Sequence, residues 1–213
     1  MARLTYMHQS TNESCGVCCV MMVLEYFRKD ETGMGKAKRD RYEAQLYRRF
    51  RLKEDEGRIS AEQAKGTLGA AVAFALAERG LDVTLWHETE NLLENRDGYY
   101  PEEMHAAMLE QHRAYIAKEG GRFPCRAGVV IDAALLRAEL EKGKLLIVQF
   151  LIPGDADGMH DHVLHWVIIH GTDGDDFRVC DPLRGKSTIG QAELEEYMKT
   201  PVGSSMISAG KRT

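Results

Sequence analysis

Three apolar segments in the last third of the chain constrain its fold more than any other feature. They cover Leu145 to Leu151, His165 to Ile169 and Phe177 to Asp181, and the glycine-containing turn Gly171 to Asp175 separates the second from the third. Two apolar runs joined by so short a polar turn predict a β-hairpin. Helical periodicity dominates the residues before them. Helices that come first and strands that come late are typical of an α+β fold, in which helices pack on an antiparallel sheet.

Signals that begin and end helices are spread along the rest of the chain. Ser60 to Gln63 has the pattern of a capping box, Pro101 is suited to open a helix, and Asp132 is suited to cap one. The alternating run Leu81 to Trp86 predicts one further strand. The predicted helices cover, to within a few residues, 14–28, 36–52, 60–79, 101–118, 132–142 and 191–198.

Length and charge bound the class of protein. A chain of 213 residues is long enough for one substantial core, so we expect a single domain over residues 1–213. Residues 31–128 hold no motif that we can place, and we expect them to form a helical insertion or lobe. The net charge of −5 argues against a general nucleic-acid binder, and no segment has the length of a membrane span or a signal peptide. We therefore expect neither nucleic acid nor membrane as a partner, and the oligomeric state stays open.

The five cysteines, three of them crowded at Cys15, Cys18 and Cys19, do not form the even, spaced set of a disulfide framework. Cys15 and Cys18 have the spacing of a redox pair, but a polar loop rather than a strand precedes them. Because Cys18 and Cys19 continue into an apolar helix, we predict that they are buried core residues, as are Cys125 and Cys180. Reduced cysteines predict a cytoplasmic protein, and export by a system that needs no signal peptide stays open.

Gln9, Cys15, His165 and Asp181 have the types and the order that a cysteine nucleophile requires. Only a thiolate attacks, and a helix N-terminus and an imidazolium near Cys15 would both favour it. His165 could take and return a proton near neutral pH while Asp181 fixes its tautomer. The Gln9 side-chain amide and the Cys15 backbone N–H could stabilise the negative charge on the attacked carbonyl oxygen. The sequence therefore predicts covalent catalysis through a thioester.

At these positions the chain resembles the papain-like cysteine peptidases of the C39 type, which process bacteriocins at double-glycine leaders, and their stand-alone C39-like relatives. Gln9 stands six positions before the Cys15–Gly16 pair, and the apolar helix residues Val20 to Leu24 follow, as in that family. The histidine-led strand, the glycine-containing turn and the strand ending in Asp181–Pro182 also come in the order of the family. Ser14 departs from the pattern, because many members carry aspartate before the cysteine.

The resemblance implies a papain-like fold in which an N-terminal cysteine-bearing helix packs on a C-terminal antiparallel sheet. It also implies a thiol-dependent hydrolase that cleaves a peptide bond with the Cys-His-Asp triad named above, without a cofactor or a metal. The substrate would be a peptide or protein, by default of the family one with a Gly-Gly leader. The candidate residues of the substrate cleft are Gly16, His162 and Trp166.

Three other interpretations stay open. The same triad serves glutamine deamidases and acyl or amide transferases, some of which are effectors delivered into host cells. A degenerate domain of this type can bind a peptide without cleaving it. The run His160–Asp161–His162, together with His165, could hold zinc in a metal-dependent hydrolase, although strand alternation separates His165 from His160 and His162.

Overall fold

The computed structural model describes residues 3–27, 35–118, 123–153 and 162–212. Their helices are α1 (Cys15–Phe27), α2 (Lys36–Phe50), α3 (Gly69–Ala77), α4 (Glu102–Lys118), α5 (Ala133–Glu141) and α6 (Gln191–Met198). Their strands are β1 (Leu81–His87), β2 (Cys125–Arg126), β3 (Leu145–Pro153), β4 (His162–Asp173), β5 (Asp176–Asp181), β6 (Gly185–Ile189) and β7 (Ser205–Lys211).

The strands of the described residues form one seven-stranded sheet in the order β2-β1-β7-β3-β4-β5-β6. Neighbouring strands are antiparallel except β1 and β2, which run parallel. The consecutive neighbours β3, β4 and β5 confirm the predicted hairpin, which turns at Asp173 and Asp176. The predicted α+β class is confirmed as well.

Helix α1 lies at the centre of the molecule because its sequence is apolar on every side. Its first ten residues, Cys15 to Leu24, are all buried, as expected of a helix without a polar face. It packs against β4 and β7 of the sheet and against α2 and α3. Among the described residues, no helix combines the length and the apolarity needed to cross a membrane.

The elements between residues 31 and 128 share a core with α1. Helix α3 is buried along its whole length and packs on α1, α4, β1 and β7. Strand β1 pairs with β7 over the full span from Leu81 to His87. This part of the chain therefore contributes helices and two sheet strands, β1 and β2, to the body of the protein.

The predicted helix 60–79 is wrong in its first half. The capping box forms, since Ser60 N donates to Gln63 Oε1 at 2.9 Å and Gln63 N donates to Ser60 Oγ at 3.3 Å. It closes only a turn, however, because Gly66 has a left-handed φ of 75°, a conformation that ends a helix. Helix α3 then begins at Gly69.

Three strands of the sheet are absent from the sequence prediction, namely β2, β6 and β7. Strand β7 is rich in small and polar residues, so it lacks the β-branched and aromatic signature of a strand. Its residues Ser205 to Gly210 are nevertheless buried, and Trp86 Nε1 donates a hydrogen bond of 3.1 Å to Ser208 Oγ inside the sheet. Helix α6 and the Asp132 cap of α5 are confirmed; Asp132 Oδ1 accepts from Leu135 N at 2.9 Å.

Candidate active site

Cys15 is the first residue of α1 and is 5 % exposed. The N-terminus of a helix presents unpaired N–H groups and the positive end of the helix dipole, and both favour an anion there. The first hydrogen bond of the helix runs from Cys18 N to the carbonyl oxygen of Ser14, at 2.9 Å. The thiol therefore stands at the end of the helix where the helix dipole is positive.

His165 and Asp181 meet from neighbouring strands. His165 lies on β4 and Asp181 ends β5, and these strands pair antiparallel. The His165 Nε2 and Asp181 Oδ1 atoms are 2.7 Å apart, and both side chains are buried. Asp181 Oδ1 also accepts from the backbone N–H groups of Leu183 at 2.7 Å and Arg184 at 3.2 Å. The carboxylate is thus fixed by its own turn as well as by the imidazole.

Burial and hydrogen bonding shift the pKa values of His165 and Asp181 in opposite directions. Burial by itself lowers the pKa of His165, but the hydrogen bonds to Asp181 and to the Cys15 thiol outweigh it and raise the pKa to about 9. Burial by itself raises the pKa of Asp181, and the hydrogen bonds from His165, Leu183 and Arg184 bring it below its ordinary value. At neutral pH the arrangement therefore favours an imidazolium between a carboxylate and the sulfur of Cys15.

Gln9 lies beside this group and is 5 % exposed. Its backbone N donates to Pro182 O at 3.0 Å, which ties it to the residue after Asp181. Its side-chain Nε2 donates to Thr11 O at 2.9 Å, and its buried Oε1 has no hydrogen-bond partner. A primary amide has two N–H donors, so the bond to Thr11 leaves one of them for an oxyanion. The oxyanion role of Gln9 stays a prediction.

Gly16, the residue after Cys15, and Trp166 pack against Thr67. A Cβ atom on Gly16 would come within 2.0 Å of Thr67 Oγ1 and 3.1 Å of Trp166 Cδ1, so glycine alone fits this position. The Trp166 indole N–H donates to Thr67 O at 3.0 Å, and the residue is only 3 % exposed. These are contacts of a core residue. Roles for Gly16 and Trp166 in a substrate cleft stay predictions.

The remaining candidates of the histidine-rich run lie at the edge of the described residues. His160 and Asp161 lie outside them. His162 begins β4 opposite Pro153, and its side chain lies outside the description, so its place in a cleft also stays a prediction. Within residues 3–27, 35–118, 123–153 and 162–212, no group of three or more His, Cys, Asp or Glu side chains is arranged to hold a metal ion.

The other four cysteines differ from Cys15 in their surroundings. Cys18, Cys19 and Cys180 are buried, as predicted, whereas Cys125 is partly exposed, and all are free thiols. The Cys18 thiol lies 3.4 Å from Met7 O, and the Cys19 thiol lies 3.4 Å from Trp166 O. Burial raises the pKa of all four thiols, that of Cys180 to about 11. Each is therefore a poor nucleophile at neutral pH.

Two residues near the site carried no signal in the sequence. Thr67 lies in the loop before α3 and reaches Gly16 only through the tertiary fold. Glu43 lies within the highly charged helix α2 and is 3 % exposed. The burial of one acidic residue among many charged neighbours cannot be predicted from its residue type. The spacing of three and four residues between Glu43, Leu46 and Phe50 could have suggested it, because that spacing places all three on one face of the helix.

A family model described as the Peptidase_C39 like family matches residues 4–208. The chain belongs to this family. A crystal structure of a Bacillus anthracis protein, provisionally described as a C39-like peptidase, is similar to this C39-like chain at 13 % identity, with a TM-score of 0.57 over 100 % of this chain and 97 % of the other. At that identity the similarity concerns the fold, and it confirms the predicted papain-like α+β architecture. A search of curated proteins gives no match.

Proposed function

We propose that this C39-like protein is a thiol hydrolase that cleaves a peptide bond through a Cys15–His165–Asp181 triad. The observation that supports it most is the buried His165–Asp181 pair, with 2.7 Å between Nε2 and Oδ1, whose imidazole pKa is raised by Asp181 and by Cys15. Since Nε2 is engaged by Asp181, Nδ1 is the ring nitrogen left to exchange a proton with Cys15. The family and the fold, both shared with peptidases, point the same way.

The chemistry follows from these positions. The Cys15 thiolate attacks the carbonyl carbon and forms a C–S bond, while the Gln9 amide and the Cys15 backbone N–H stabilise the oxyanion. His165, protonated at neutral pH, gives its proton to the leaving amine as the C–N bond breaks. Water then attacks the thioester, His165 accepts a proton from it, and the carboxylic acid leaves as the C–S bond breaks. Asp181 holds the imidazole in one orientation throughout.

Two small reagents test the nucleophile without knowledge of the natural substrate. Iodoacetamide alkylates thiolates, and p-nitrophenyl acetate acylates nucleophiles that have an oxyanion site. We expect both to modify Cys15 first, as located by peptide mass mapping. Cys15→Ala should abolish the fast phase of both reactions. Cys125→Ala removes the partly exposed cysteine and is the matched control, which should retain both fast phases. Preferential labelling of Cys18 or of Cys125 would contradict the assignment.

Intact-mass measurements on candidate protein substrates distinguish peptidase action from the other uses of such a triad. Two fragments identify peptide-bond cleavage. Conversion of a glutamine amide to an acid without chain cleavage would identify a deamidase, and a mass gain equal to an added amine would identify a transferase. Cys15→Ala in parallel separates these outcomes from contaminating activities. Binding without any mass change, in wild type and variant alike, would favour a peptide-binding domain.

Specificity for Gly-Gly leaders is tested separately. A leader peptide ending in Gly-Gly should be cut after the second glycine if the site beside Cys15 is narrow. Replacing either glycine by alanine should then remove most cleavage, because one methyl group in a tight slot costs about 1–3 kcal/mol. Equal cleavage of both peptides would leave the thiol hydrolase in place and remove the leader specificity.

A further inference from the structure

Glu43 is a buried carboxylate that contacts the segment just before the nucleophile. It lies on α2, outside the triad, and is 3 % exposed. Its Oε1 atom accepts a hydrogen bond of 2.8 Å from Ser10 N. The same Oε1 atom accepts the hydroxyl of Ser14, the residue immediately before Cys15. One carboxylate oxygen thus holds both ends of the segment Ser10 to Ser14.

The segment that Glu43 holds has internal hydrogen bonds of its own and is hydrogen-bonded to Gln9. Ser14 N and Ser14 Oγ lie 3.3 Å and 3.0 Å from Thr11 O, and Thr11 N donates to Ser14 Oγ at 3.3 Å. The Gln9 amide also donates to Thr11 O, at 2.9 Å. A continuous set of hydrogen bonds therefore connects Glu43 with both groups proposed to hold the oxyanion, the Gln9 side chain and the N–H at the start of α1.

Burying a carboxylate without a structural need is costly, and an apolar residue would pack at least as well on this face of α2. The negative charge of Glu43 raises the pKa of the neighbouring Cys18 thiol, so it does not activate that thiol. What the carboxylate offers at this place is two accepted hydrogen bonds in a fixed geometry. Its contribution therefore lies in the position of the backbone that it binds.

We propose that Glu43 is a positioning residue that fixes the segment Ser10 to Ser14, so that the Gln9 amide and the Cys15 N–H point at one oxyanion. This inference rests on the proposed function and adds a residue to it. It also gives residues 31–128 a role at the active site, through α2. Preorganised donors account for much of the rate of acyl transfer, and a displacement of about 1 Å can cost roughly 10²-fold.

A matched pair of variants separates position from charge. Glu43→Gln and Glu43→Ala both remove the negative charge, but glutamine keeps an oxygen that can accept from Ser10 N and Ser14 Oγ. Acylation by p-nitrophenyl acetate needs the oxyanion donors, whereas alkylation by iodoacetamide forms no oxyanion. We expect Glu43→Ala to acylate roughly 10–100-fold more slowly than Glu43→Gln, from the usual cost of a misplaced donor. The two variants should alkylate at rates within a few-fold of each other.

The outcomes distinguish the inference from the proposed function. Equal acylation rates for the two variants would overturn the role of Glu43 while the triad stands. Equal losses in acylation and alkylation would also overturn it, because the defect would then concern the thiol. If Glu43→Ala does not fold, Ser14→Ala removes one of the two hydrogen bonds and should slow acylation more than alkylation; an unchanged ratio overturns the inference. A wild-type protein inert to both reagents would contradict the proposed function itself.

Discussion

Two buried side-chain pairs in this protein each contain a histidine, and its partner is a carboxylate in one pair and a second histidine in the other. At the candidate active site, His165 faces the carboxylate of Asp181 at 2.7 Å. At the other pair, His87 at the end of β1 faces His112 on α4, with 3.0 Å between their Nε2 atoms. His87 Nδ1 also lies 3.0 Å from Ser205 Oγ, whereas the buried Nδ1 of His112 has no partner. All four side chains are buried.

The comparison separates the effect of the partner on the pKa of a histidine from the effect of burial. Burial lowers the pKa of His87 to about 4 and that of His112 well below its ordinary value. The same tendency at His165 is reversed by Asp181 and Cys15, which raise the pKa to about 9. Burial alone gives a neutral imidazole suited to structure, and an acidic neighbour is what makes a buried histidine a proton donor at neutral pH.

Removing the acidic partner should make His165 resemble His87. We expect Asp181→Asn to lower the pKa of His165 from about 9 toward that of a buried imidazole, because only Cys15 then opposes the effect of burial. The loss of the imidazolium and of its orientation should slow acylation of Cys15 by roughly 10³–10⁴-fold, the scale seen when a serine-protease triad loses its carboxylate. Histidine ring resonances followed by NMR against pH report the first effect, and p-nitrophenyl acetate reports the second.

Asp176→Asn is the matched control, since Asp176 is an exposed carboxylate on the same strand. It should change neither the His165 titration nor the acylation rate. A variant Asp181→Asn whose His165 is still protonated at pH 8 would remove the distinction between the two pairs.

The second prediction concerns stability in acid. The pKa of His87 is about 4 in the folded protein and about 6.5 in an unfolded chain. As the pH falls, the unfolded state therefore binds a proton before the folded state does. The contribution of neutral His87 to the free energy of unfolding is complete above pH 6.5 and is lost as the pH falls from 6.5 to 4. The loss amounts to roughly 3 kcal/mol. Urea unfolding at pH 7.5 and pH 4.5 measures it. The pKa of His165 is raised, so its contribution to the free energy of unfolding has the opposite sign of pH dependence. It is complete below pH 6.5 and is lost as the pH rises from 6.5 to 9.

Carboxylates also respond to acid, and a double variant separates the two sources. His87→Gln with His112→Gln removes both imidazoles, so it should unfold at lower urea throughout but lose less stability between pH 7.5 and 4.5 than the wild type. His8→Gln changes an exposed histidine and should keep the wild-type dependence. An acid response that is the same in all three proteins would show that the buried pair does not set it.

The smallest effect tests the partner of His87. Ser205→Ala leaves the buried His87 Nδ1 without its hydrogen bond of 3.0 Å. We expect the free energy of unfolding at pH 7.5 to fall by about 1–2 kcal/mol, the usual cost of an unsatisfied buried polar group. Ser187→Ala, on the exposed face of edge strand β6, is the control and should stay within about 0.5 kcal/mol of wild type. Equal losses would mean that the Ser205 contact contributes nothing specific.

The sequence predicted those parts of the fold whose signals are local. Helix α6, the Asp132 cap and the β4–β5 hairpin depend on neighbouring residues, and each was placed to within a few residues. Strand β7 was missed because its polar residue Ser208 is satisfied by a hydrogen bond from Trp86, which lies far away in the sequence. The helix predicted from Ser60 was overextended because a capping box signals the start of a turn and Gly66 ends it early.

The candidate site shows the same division. Cys15, His165 and Asp181 follow from motif order, since Cys15 begins a helix, Asp181 ends a strand and His165 precedes an apolar run within β4. Glu43 and Thr67 do not, because their relation to the nucleophile exists only after α2 and the loop before α3 pack on α1. The His87–His112 pair was equally invisible, since a lone histidine on a strand and another on a helix carry no signal of their contact.

The position of β7 has a consequence for how this protein can assemble. This strand follows every other described strand in the chain, yet it lies between β1 and β3 in the sheet. Until it is in place, β1 and β3 each have an unpaired edge, and such edges promote association between chains. Helix α1, which begins at Cys15, packs against both β7 and β4, the strand that carries His165. A chain without β7 in place should therefore be prone to aggregation, and the reactivity of Cys15 should appear only when the sheet is complete.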